Sequence, residues 1–181
     1  MRDGVSDVSE PGVPGTADTQ IELPCGTTVS VEHFDMGMRE YACACGQQHA
    51  VVMDVHPLSR WVPEAVEAVI VETIEPVDEY DRFETIHLMG IVLETYPDDV
   101  AVHDTSRDPS RGWALQWVTA WDATELHRRI VTLLVELMEH AVSHTDDDAI
   151  ADEFATQLAA FDIDAFVQAY REGRDLSSID R

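Results

Sequence analysis

Leu23-Pro24-Cys25-Gly26 and Tyr41-Ala42-Cys43-Ala44-Cys45-Gly46-Gln47-Gln48-His49 decide how this chain is read. In both segments a cysteine is followed directly by glycine. A tight turn of this kind needs a residue without Cβ, and its amides can then point at the sulfur. Cys43 and Cys45 stand two apart, so on an extended backbone they lie on one side and can share an ion. The turn through Gly46, Gln47 and Gln48 returns His49 as a fourth donor, with His33 as the alternative. Three thiolates and one imidazole make a closed tetrahedral zinc site, and such a site supplies folding energy outright. The competing reading is three reduced thiols that only pack. A disulfide framework is not expected, because three cysteines cannot all pair within one chain.

Outward from the cysteines, Ile21 and Leu23 alternate with Glu22, and Val29, Val31, Phe34, Val51, Val52, Met53 and Val55 fall in short β-type runs. Pro24-Cys25-Gly26, Met36-Gly37 and Cys45-Gly46 break these runs, as in a module of hairpins. Residues 21–57 are too few to build a self-sufficient core, so a staple is expected there. Residues 21–55 resemble a degenerate zinc ribbon. A regular ribbon has two Cys-x-x-Cys pairs, whereas here Glu22 stands at one first-cysteine position and the other pair is Cys43-Ala44-Cys45.

Residues 58–172 read as a helix-rich α+β domain. Pro63 suits a first helical turn, and Val66, Val69, Ile70 and Ile74 recur at helical spacing. A second helix is expected over Phe83 to Tyr96, ended by Pro97, with Gly90 retained for close packing against a neighbour. Val100 and Val102, then Trp113, Leu115 and Trp117, alternate around a polar turn sequence and predict one β-hairpin. Asp122 with Glu125 three residues on has the form of a capping box opening a helix to about Ser143. The apolar arc of that helix is too wide for one contact face, which makes it the central helix. Asp146, Asp147 and Asp148 place charge at the next helix N-terminus, and Phe166, Val167 and Tyr170 belong to a last short helix. Residues 1–20 and 173–181 read as a disordered and a frayed tail. The expected fold class is therefore α+β: a small zinc-stapled β-hairpin module packed on a helix-rich domain with one β-hairpin.

Other residues that carry chemistry are weaker candidates. Glu136, His140 and His144 recur every four residues on the central helix and share a face, but histidines in a last helical turn also bond free carbonyls and favour the dipole. His87 and His127 lie on mostly apolar surfaces, where a satisfied core histidine is the commoner outcome. Trp61, Trp113, Trp117 and Trp121 would form a stacking or partner surface if exposed together, and core packing is the default. Arg107 and Arg111 flank the polar loop and read as solvated. The sequence contains no His-Glu-x-x-His, no deaminase His-x-Glu with Pro-Cys-x-x-Cys, no glycine-rich phosphate loop and no nucleophile elbow.

The 181 residues carry 36 Asp and Glu against 11 Arg and no Lys, a formal charge of −25. Self-repulsion of this size is destabilising in dilute buffer, and molar salt removes most of it by shortening the Debye length to about 3 Å. The charge therefore reports habitat, a salt-accumulating halophilic archaeon, more than it reports partners. Contact with nucleic acid would gain little from counterion release at high salt. No apolar run approaches the length of a membrane span and the first residues hold no secretory signal, so a cytoplasmic location is expected. Tyr41-Ala42-Cys43-Ala44-Cys45-Gly46 and His87-Leu88-Met89-Gly90-Ile91-Val92 resemble an uncharacterised haloarchaeal family of unknown function, a resemblance that implies no activity. The leading expectation is a non-catalytic zinc-binding adaptor or regulator with a protein partner. A metal-dependent enzyme built on His140 and His144 is the alternative, and a zinc-ribbon protein of the nucleic-acid, transcription or translation machinery is a further one.

Overall fold

A computed structural model describes residues 19–76, 79–107, 109–143 and 148–179. Nearly all of the expected tail 1–20, together with Asp146, Asp147 and His144, lies outside them. The first half of the chain folds as β1 (Gln20–Glu22), β2 (Thr28–Ser30), β3 (Glu40–Ala42) and β4 (Gln48–Met53), followed by α1 (Glu64–Thr73) and α2 (Thr85–Thr95). Then come β5 (Val100–Asp104), β6 (Leu115–Thr119), α3 (Ala123–Ser143), α4 (Asp148–Ala160) and α5 (Ile163–Ile179). Strands β1 and β2 pair as one antiparallel hairpin. The others form a four-stranded antiparallel sheet in the order β3-β4-β6-β5. The protein is mixed α and β, with five helices and two small sheets among the described residues.

The central strand β4 explains how the layers are joined. Its side chains alternate between two cores. Ala50 and Val52 face the helical core with Trp117 and Val100, whereas Val51 and Met53 face the hairpin core with Val118, Ile21, Leu23 and Val29. Both faces are covered, so five consecutive residues from His49 to Met53 are buried. The register Val51↔Val118, Val52↔Trp117, Met53↔Gln116 carries the sheet across residue 57, where the sequence suggested a boundary between two modules. Ala50 N–H donates to Trp121 O at 2.7 Å at the end of that pairing.

The central helix α3 behaves as its wide apolar arc predicts. Leu126, His127, Ile130, Leu134 and Met138 are all at most 1% exposed, and α3 packs against α1, α2, α4, α5 and β4. Asp122 Oδ1 accepts from Glu125 N–H at 3.0 Å and closes the first turn. A buried carboxylate helps at the same end: Glu40 on β3 accepts from Ala123 N–H at 3.0 Å and takes both arms of the Arg171 guanidinium at 2.7 Å. This bidentate pair ties α5 to the sheet edge.

Two expectations are corrected. Gly90 is exposed and a Cβ built there meets nothing within 4 Å, so close packing does not explain it. The last helix is not short, because α5 runs for 17 residues from Ile163 to Ile179.

Candidate metal centre

Two hairpins meet through the same five-residue turn. Residues 23–27 join β1 to β2, and residues 43–47 join β3 to β4. In the first turn Leu23 N–H donates to Thr27 O at 2.9 Å and Gly26 N–H to Leu23 O at 2.8 Å. In the second, Cys43 N–H donates to Gln47 O and Gly46 N–H to Cys43 O, each at 3.0 Å. The glycines take φ +89° and +91°, a left-handed conformation that side chains with Cβ rarely adopt. Cys25 and Cys45 are thus equivalent residues of two knuckles. The shared Cys-Gly dipeptide was visible in the sequence, but the full repeat was hidden because Leu23 and Cys43 occupy the same turn position.

Cys43 is the departure from that symmetry. Its counterpart Leu23 is 2% exposed in the hairpin core, whereas Cys43 contributes its sulfur to the cluster. Glu22, at the first-cysteine position of a regular ribbon, is exposed on β1.

Ligand atoms of Cys25, Cys43, Cys45 and His49 all lie within 4.8 Å of one another. The Sγ atoms of Cys25 and Cys43 are 3.8 Å apart, and Cys45 Sγ stands 3.5 Å from His49 Nε2. Tetrahedral zinc with its usual bond lengths separates two sulfurs by about 3.8 Å and a sulfur from a nitrogen by about 3.6 Å. A disulfide would need about 2.05 Å, and all three cysteines are free. Cys45 N–H also points at Cys43 Sγ, 3.5 Å away.

His49 is fully buried on β4. Strand alternation sends it to the hairpin side with Val51 and Met53. Its Nδ1 lies 2.8 Å from the carbonyl oxygen of Thr119 on β6. A carbonyl can only accept, so Nδ1 carries a hydrogen and Nε2 is the ring nitrogen that faces Cys45. An imidazole with its second nitrogen anchored in this way is the arrangement metal-binding histidines use. His33, the alternative donor, is exposed and stacks beside Tyr41 instead.

The surroundings push the Cys25 and Cys45 thiols in opposite directions. The hydrogen bond between Cys25 and the Thr27 hydroxyl at 3.3 Å holds the Cys25 thiol down to about 6. At Cys45 the Gln47 backbone favours the thiolate, but desolvation, hydrogen bonds with Cys43 and Cys25 and the charge on Cys25 together push its pKa up. A divalent cation removes this conflict, because every thiolate then faces positive charge.

The remaining candidates are placed elsewhere. Glu136 and His140 are exposed on α3. His87 accepts from Glu84 N–H at 2.9 Å and completes the cap of α2. His127 is fully buried, hydrogen-bonds Trp61 O at 2.8 Å and is ringed by Trp61, Phe161, Phe166 and Tyr170. Burial holds its pKa down to about 4. Trp61 and Trp117 are buried, and Trp113 and Trp121 pack against the two cores, so the four do not form an exposed stacking platform. Arg107 is exposed and Arg111 half-buried. Sequence reasoning missed a polar cleft of about 500 Å³ beside the second knuckle, lined by Gln47, Gln48, Ala120, Asp122 and Arg171. Its walls come from three distant parts of the chain, and no local signal announces them.

Fold and cluster together define a mixed α and β protein with a Cys3His centre of metal-binding type between two hairpin turns. Among the described residues no helix is long and apolar enough to cross a membrane. The chain belongs to a family of unknown function, DUF5815, whose pattern matches residues 21–174. Neither a curated protein nor a solved structure matches it.

Proposed function

We propose that Cys25, Cys43, Cys45 and His49 hold a structural zinc ion, and that the protein is a non-catalytic adaptor or regulator in the cytoplasm of a halophilic archaeon. The observation that carries the reading is the donor set: three sulfurs and one imidazole nitrogen within 4.8 Å of one another, the imidazole fixed by Thr119 O. A metal with four protein ligands has no open position for substrate, so the site serves to hold two hairpins together and the protein works through its surfaces. The polar cleft is lined by Gln47 and Gln48, next in sequence to the second knuckle, and a protein partner is the proposed occupant class. The lysine-free −25 chain supports the saline cytoplasm.

Elemental analysis of protein purified at high salt, wild type against Cys45→Ser, tests this. One zinc per chain, lost in the variant, is the expected result. A metal that persists in the variant would move the site to the helix histidines and favour an enzyme. No metal in either would reduce the cysteines to packing residues. The habitat reading is checked by the same protein in dilute buffer, where it should unfold; equal stability in dilute buffer and molar salt would overturn it.

A further inference from the structure

We infer that Cys25 and Cys43 form an oxidative modification site, closing to a disulfide that expels the metal while keeping the two hairpins joined. The two sulfurs are 3.8 Å apart and come from different knuckles. Cys25 is exposed and Cys43 half-buried, so a small oxidant reaches both from solvent. They stand 18 positions apart in sequence, so a bond between them cross-links two separate hairpins. Cys43 and Cys45 are the less suitable pair. They sit two apart in one hydrogen-bonded turn, with Cys43 N–H held by Gln47 O and Cys45 N–H directed at Cys43 Sγ. Cys45 also faces His49 Nε2 at 3.5 Å.

The oxidant proposed is a hydroperoxide such as hydrogen peroxide. One sulfur attacks the peroxide and becomes a sulfenic acid, releasing water; the second sulfur attacks that sulfenic acid, and a second water leaves. Two thiolates, one hydrogen peroxide and two protons therefore give one disulfide and two waters. Only Cys45 and His49 then remain as donors, and His49 is held in place by Thr119 O. Two ligands do not retain structural zinc, so the ion leaves. The new S–S bond takes over the cross-link between hairpins that the metal had made. What changes is the second knuckle: Cys45 becomes a free exposed thiol, and Gln47 and Gln48 lose the anchor that sets one wall of the cleft.

Metal release rests on the zinc reading above, whereas disulfide formation does not. The test treats full-length protein in molar salt with stoichiometric hydrogen peroxide. Zinc release is followed with a chromophoric chelator, and the cross-link by intact mass and peptide mapping. The expected result is one zinc released per disulfide, a loss of two hydrogens, and a mapped Cys25–Cys43 link that a dithiol reverses with recovery of zinc binding. Cys25→Ser should form no internal disulfide under the same treatment. A Cys25–Cys43 link in protein whose reduced form takes up no zinc would sink the metal reading and leave the modification site standing. Zinc retained at stoichiometric peroxide, a link mapped to Cys43–Cys45, or direct conversion to sulfinic acid would each overturn the inference.

Discussion

The helical core and the hairpin core share one sheet but are held by different means. Among the described residues, 22 buried apolar side chains make up the first and nine the second. A fully buried Leu, Ile or Phe contributes roughly 1.5–3 kcal/mol, so the helical core gains by far the larger share of the burial. Nine side chains between short strands are near the limit at which small modules need a disulfide or a metal. The difference teaches where a cross-link would matter most: at the face of the sheet covered by hairpins, not at the face covered by helices.

On the zinc reading proposed above, the comparison is broken most directly by removing the metal. Structural zinc in small domains carries roughly 10 kcal/mol of apparent binding free energy, so chelation at high salt should strip hydrogen-exchange protection from Gln20–Ser30 while α3 stays protected. Equal loss in both regions would show that the hairpins and helices form one cooperative unit. Leu134→Ala probes the other side. It should cost about 2–5 kcal/mol in denaturant unfolding and leave the zinc content of the folded protein unchanged; a loss of metal would mean that strain passes through the shared sheet.

His127 sharpens the contrast through pH. Its folded pKa near 4 lies below the ordinary 6.5, so between those values the unfolded chain binds the proton and the folded chain does not. Stability is fully present above pH 6.5 and falls as the pH drops toward 4, by about 3 kcal/mol from this group. Subtracting the profile of His127→Phe from that of wild type isolates it from thiol protonation at the metal; parallel profiles would overturn the assignment. The smallest effect has the opposite sign. Gly90→Ala, at an open and exposed helical position, should stabilise α2 by about 1 kcal/mol, and a destabilised variant would reveal a neighbour outside the described residues.

Much of the architecture was legible because local patterns agree with the final packing. Asp122 and Glu125 announced the start of α3, and its wide apolar arc announced burial on several sides. The polar stretch after Asp104 announced the β5–β6 hairpin. Cys25-Gly26 and Cys45-Gly46 announced two tight turns, whose glycines take positive φ because the turns demand it. The pairing of β4 with β6 was not legible. A strand buried on both faces has no alternation to reveal its partner, and Val51-Val52-Met53 reads the same in a hairpin or in a sheet centre.

The sequence by itself determined the residue types of the Cys3His cluster and the two turns that carry its cysteines. Only the tertiary structure brings His49, and not His33, beside the three cysteines. Both are near the cysteines in sequence, but one lies on the buried face of β4 with Thr119 O to fix its tautomer, and the other is exposed beside Tyr41. The same holds for Cys25 and Cys43, whose sulfurs approach because strand pairing and the hairpin core bring separate turns together. Local chemistry can be read along a chain, whereas proximity between distant residues is set by which faces bury each other.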